Sequence, residues 1–148
     1  MPMYPLAISK VSAALGGTRT LGARIFTVDQ LIAAVARGLP RTVVPQLAAH
    51  AAPDNAELRR RVAALVVSPA TYKRNRRLSP AASERAERLA RVAALAQQAL
   101  GDPEEAKLWL TDTHPLLGNQ APIEVAATDL GARQVERILH NIEHGLPV

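Results

Sequence analysis

The chain has 148 residues, 48% of them hydrophobic but only 3% aromatic, with no cysteine and a net charge of +5. That length holds one domain or two very small ones, with a core of Ala, Leu and Val, and it excludes a disulfide frame and a thiolate metal site. No apolar run of about 18 residues is available to span a membrane, and MPMYPLAISK lacks a basic region followed by an apolar stretch, so no secretion signal is read and the cytoplasm is the expected compartment.

Residues 4–16 are predicted as a first helix carrying Leu6, Val11 and Leu15, ended by Gly16 and Gly17. The stretch TRTLGARIF fits no single pattern, and Ile25 and Phe26 are expected to be buried. Thr27 and Gln30 form a capping box for a helix with Leu31 and Val35 on one face and Gly38 at its stop. Residues 41–52 read as a helix with Val43, Val44 and Leu47, with Pro45 tolerated in the first turn. His50, at its end, reads as a surface residue or a cation facing the helix dipole.

Asp54 and Glu57 read as a second capping box, opening AELRRRVAA with Leu58 and Val62 inward. Ser68 and Pro69 open the short ATYKRNRR helix, and Ser79 and Pro80 open the longest one, residues 80–100. Its stripe is Leu89, Val92, Leu95, Ala96 and Leu100, and Gly101 ends it. Asp102 and Pro103 start a helix that holds Trp109 and runs to Leu110. HPLLGNQAP is non-periodic, a short helix follows Pro122, and Thr128 with Asp129 opens a helix to about His144, stopped by Gly145. The strand signal is weak throughout, so an all-α fold of about eight helices is expected.

Charge is partitioned along the chain. Residues 1–53 carry a net +4, residues 54–101 a net +6, and residues 102–148 a net −5. A basic body with an acidic end suits two kinds of partner, a polyanion and something else. Residues 54–77 read as helix, turn of four or five residues, helix, which is helix-turn-helix spacing. The second helix carries Thr71, Tyr72, Lys73, Arg74, Asn75, Arg76 and Arg77, the candidate DNA-binding residues. Arg and Lys bond guanine edges and phosphates, and Asn suits adenine. Arg85, Arg88 and the run Arg59, Arg60, Arg61 extend the same positive face. The plain alternative is a solvated charged surface.

His140, Glu143 and His144 spell H-x-x-E-H, the inverted zinc-protease pattern. A catalytic zinc needs a third protein ligand, and the four residues that follow, Gly145, Leu146, Pro147 and Val148, include no ligand type. There is no Gly-rich phosphate loop, no G-x-S-x-G and no cysteine nucleophile. The expectation is therefore a protein that is not an enzyme and uses no cofactor or metal.

GDPEEAKLWL, HPLLGNQAPIEVAATDLGARQVERIL and the IEHG near the terminus resemble the toxin-binding domain of the Xre/MbcA/ParS antitoxins, which neutralise RES-domain toxins. AELRRRVAALVVSPATYKRNRRLSPAASERAERLARV resembles that family's Xre-like helix-turn-helix, although the turn LVVSP lacks the motif's usual glycine. The resemblance covers roughly residues 40–148 and implies a helix-turn-helix domain over 41–101 and a toxin-binding domain over 102–148, while residues 1–40 match no part of it and read as a helical lead-in. It further implies a homodimer that binds the operator DNA of its own promoter and a cognate RES toxin, an enzyme that consumes NAD. The end that blocks the toxin's entrance would be Glu143, His144, Gly145, Leu146, Pro147 and Val148, with Leu116, Leu117 and Asn119 as further toxin-binding residues. A stand-alone helix-turn-helix repressor is the alternative.

Overall fold

A computed structural model describes residues 7–148. Among these residues the chain forms ten α-helices, with no β structure beyond two isolated bridges. They are α1 (Ile8–Ala14), α2 (Gly17–Leu21), α3 (Val28–Arg37), α4 (Val43–Ala51), α5 (Ala56–Val66), α6 (Pro69–Arg74), α7 (Pro80–Leu100), α8 (Pro103–Thr111), α9 (Pro122–Val125) and α10 (Asp129–Glu143). A 3-10 turn, Pro115–Leu117, lies between α8 and α9. The all-α expectation holds. Residues 4–6 of the expected first helix, Leu6 included, lie outside the described residues.

The axis of the fold is α7, about 31 Å long at 1.5 Å per residue. Helices α8 and α10 pack on it, as do α1, α3, α4 and α5. Its sequence explains why it can serve so many neighbours. Ala82, Ala86, Ala90, Ala93, Ala94 and Ala96 are buried along it, and a methyl side chain lets a neighbouring backbone come close. Leu89, Val92 and Leu95 fill the space between. One hydrophobic cluster runs without a break from Ile8 to Leu139.

Helix starts follow the local chemistry. The Thr27 and Gln30 capping box is present in full. Ser68, Ser79, Asp102 and Thr128 each accept a backbone N–H of the first turn. Other expectations fail. Asn55, not Asp54, caps α5, because its side-chain oxygen accepts the Leu58 N–H at 3.0 Å. Phe26 is 64% exposed, while Ile25 beside it is buried. Helix α2 arises between Gly16 and Gly22, both at positive φ, in a stretch with no periodic signal. Helix α5 continues to Val66, so only Val67 and Ser68 separate it from α6, not four or five residues.

Candidate functional site

That two-residue turn explains the missing glycine. Val67 (φ −156°, ψ 144°) and Ser68 (φ −66°, ψ 150°) are both extended, so neither needs the left-handed region that favours glycine. Ser68 Oγ accepts the Thr71 N–H at 3.2 Å, and Pro69 supplies the first helical position. At the far end the Arg41 guanidinium donates to the Tyr72 carbonyl at 3.1 Å and lies 5.1 Å above the Tyr72 ring. A cation on the last carbonyls opposes the helix dipole, so Arg41 fixes α6 from outside it. Its role is not visible in the sequence, since 31 residues separate the partners.

The seven candidate DNA-binding residues divide. Thr71 and Tyr72 are half-buried, with Tyr72 packed against the core. Lys73 and Arg74 are exposed on α6, and Arg74 donates to Thr71 Oγ1 at 3.2 Å. Helix α6 stops at Arg74, so Asn75, Arg76 and Arg77 lie beyond it, Asn75 extended, Arg76 in a bend and Arg77 in an isolated bridge. Asn75 Nδ2 donates to the Thr71 carbonyl at 3.2 Å. Arg77 donates to the Gly38 carbonyl at 2.8 Å, and its backbone pairs with Pro40. Lys73 and Arg76 are exposed and make no ion pair among the described residues.

The arginines expected to widen this face are mostly ties. Arg59 donates to the Ala52 and Pro53 carbonyls, Arg85 to the Val66 carbonyl, and Arg88 to the Ala127 carbonyl. Arg61 pairs with Glu124 at 2.6 Å. Arg60 alone of the set is exposed without such a tie, beside a shallow apolar hollow formed with Pro45, Ala64 and Pro69.

The C-terminal candidates sit in two places. Leu116 is half-exposed on the 3-10 turn, and its carbonyl accepts from Gln134 at 3.3 Å. Leu117, expected as a contact, is buried in the core. Gly118 (φ 64°) and Asn119 (φ 59°) turn the chain back, and the Asn119 N–H donates to the His114 carbonyl at 3.1 Å. The second place is the end of α10, nine residues or about 14 Å farther along its axis than Gln134. There Glu143 accepts from Gln98 Nε2 at 2.9 Å. Gly145, at φ 66°, donates to the Ile142 carbonyl at 3.3 Å, and Leu146 donates to the Asn141 carbonyl at 2.8 Å. This pair of bonds is the Schellman turn, which gives the chain a fixed exit from the helix. His144, Leu146, Pro147 and Val148 are all exposed.

His140 and His144 stack with ring centroids 4.4 Å apart. Among the described residues no three His, Asp or Glu side chains converge as a metal site would require. His50 departs from expectation. It is half-buried, 3.5 Å from Gln97 Nε2, and burial, then the Lys107 charge, lowers its pKa below the usual 6.5. It therefore favours the neutral ring over the helix-end cation.

Residues 30–91, which take in most of α3, all of α4 to α6 and half of α7, match the antitoxin Xre-like helix-turn-helix domain. Residues 95–145 match the antitoxin Xre/MbcA/ParS C-terminal toxin-binding domain. The second match stops at Gly145, the left-handed residue of the Schellman turn. No curated protein sequence matches the chain.

Proposed function

Because the chain belongs to the Xre/MbcA/ParS-type antitoxins, with a helix-turn-helix and a toxin-binding domain, we propose that it neutralises a RES-domain toxin by plugging its active-site entrance. In this reading it also represses its own operon as a homodimer through the α5–α6 pair, and it acts in the cytoplasm. No helix among the described residues is long and apolar enough to cross a membrane. The divisions at residues 40 and 101 describe labour: a lead-in, a DNA-facing part and a toxin-facing part.

The observation that carries the plug is the Schellman turn over Asn141 to Leu146. It fixes where Leu146, Pro147 and Val148 leave the helix, so a short apolar segment is presented in a defined direction. Preorganisation of this kind lowers the cost of entering a formed cleft. The net negative charge of residues 102–148, with Asp102, Glu104, Glu105 and Asp112 all exposed, suits a partner with the basic pocket of an enzyme that takes a phosphorylated nucleotide. The toxin contacts are then Glu143, His144, Gly145, Leu146, Pro147 and Val148, with Leu116 and Asn119 at a second point. Leu117 acts only by holding that turn.

Deletion of residues 145–148 tests this. Co-expressed with a RES-domain toxin, the truncated chain should fail to protect growth and NAD levels, and its complex should dissociate about 100-fold more readily, as expected for loss of a buried anchor. Full protection by the truncated chain would overturn the plug, and no protection by the full-length chain would return the protein to the stand-alone repressor reading.

A further inference from the structure

Helix α6 rests on a loose bed. It buries none of its six residues, and Tyr72 is the side chain that packs it against the core. Hollows flank it on both sides. One, of about 410 Å³, has a mixed wall and separates α6 from the start of α7. The other, of about 310 Å³, lies between α4, α5 and α6, with Pro45, Ala63, Val67 and Tyr72 in its wall. Val67 and Tyr72 line both, so both spaces reach the turn between α5 and α6. Open space beside a helix forfeits the dispersion contacts that a filled interior supplies.

The polar groups of the apolar hollow are few and unused. Arg60 lines it, is exposed, and has no partner among the described residues. The Tyr72 hydroxyl likewise makes no hydrogen bond among them. The Arg41 guanidinium that stands over the Tyr72 ring is not part of this wall. An apolar concavity with a small number of convergent polar groups has the composition of a small-molecule site.

We propose that this hollow binds a small, largely apolar carboxylic acid, and that the bound acid stiffens α6. Arg60 takes the carboxylate through two parallel N–H···O bonds, and the apolar body covers Pro45, Ala63 and Val67. Three features select this class. The wall holds one guanidinium and no second cation among the described residues, which matches one negative charge, whereas a polyanion needs several cations. It has no amide or carboxylate side chain, the groups that would read a sugar or a nucleobase. Its volume is too small for a peptide helix, which is about 10–12 Å across. The bound acid adds to α6 the contacts that the chain itself does not make there. Operator affinity then rises with occupancy, and this last step alone rests on the reading of α6 as the DNA-facing helix.

The test uses phenylacetate, titrated into the full chain and followed by methyl NMR, with uncharged phenylacetamide for comparison. The acid should shift the methyl signals of Val44, Ala63 and Val67 with a dissociation constant of about 1 mM, the scale for a ligand of about ten heavy atoms. The amide should bind about 10-fold more weakly, and Arg60→Gln should remove that difference. Ala64→Trp, at an exposed position in the wall, should fill the hollow and abolish binding with an unchanged circular dichroism spectrum. With the acid bound, the amides of Tyr72, Lys73 and Arg74 should exchange with solvent about 5-fold more slowly. No binding, equal affinity for acid and amide, or binding that survives Ala64→Trp would overturn the site. So would shifts centred on other exposed apolar groups, Phe26, Ile32 and Leu108. Unchanged exchange in the occupied chain would overturn the stiffening of α6. Slowed exchange with unchanged operator affinity would uphold the site and indict the choice of α6 as the reading helix.

Discussion

Gly131 lies in the first turn of α10, where its bare Cα rests against the Val125 carbonyl oxygen of α9. A methyl group there would overlap that oxygen and crowd Thr128 Oγ1, the cap of the same helix. Gly131→Ala should lower stability by about 2 kcal/mol through overpacking, read as a shift in the urea midpoint with the m-value unchanged. His50 gives a second prediction at this scale. Its folded pKa is depressed by burial and by Lys107, so the native state resists a proton that the unfolded chain accepts. The stability His50 supplies is complete above 6.5 and is lost as the pH falls through its lower folded value. His50→Gln should flatten the decline in melting temperature on acidification. An unaltered pH profile would show that the ring is not desolvated as placed. The sequence put His50 in the last turn correctly but not its burial, because Gln97 and Lys107 lie 47 and 57 positions away.

At the scale of the element, α6 separates what local chemistry dictates from what only packing reveals. Ser68, Pro69 and the basic run announce a short helix, and it forms. Nothing local says that it ends at Arg74, because the stop is imposed by the Arg41 cap and by the pairing of residues 76–78 with the chain leaving α3. Bonds to backbone carbonyls likewise tie down Arg59, Arg85 and Arg88, which counting alone had assigned to the open basic face. A consequence for binding follows. If α6 and its exit face operator DNA as proposed, Arg76→Ala should reduce the salt dependence of binding by about 1 in log–log slope, the effect of removing one exposed cation from the phosphates. Arg41→Ala removes no exposed charge. It should weaken binding through a loosened α6 and lower stability by about 1 kcal/mol, the worth of a helix-end cation. A full unit of slope lost in Arg41→Ala would mean that the guanidinium faces DNA and not the Tyr72 carbonyl.

For the whole molecule, the opposite charges of the middle and the end are not solely a division between two partners. Glu124 pairs with Arg61, and Glu136 pairs with Arg91, which also holds Glu87. The acidic third is therefore attached to the basic part by two of its own acids, while α7 feeds side chains into the cluster shared by both. Sequence composition resolves the two parts but not this attachment, since partners 45 and 63 residues apart leave no local pattern. Because one core runs from Ile8 to Leu139, the two parts are expected to unfold together. Trp109, the sole tryptophan, reports on the acidic third, where it packs on the core with its ring 5.8 Å from that of His114. Helical circular dichroism reports on every helix. In a urea titration the two signals should give one midpoint and one m-value, the mark of a single cooperative unit. A tryptophan transition that precedes the loss of helix would mean that residues 102–148 detach first. The ion pairs to Arg61 and Arg91 would then be surface decoration worth well under 1 kcal/mol each.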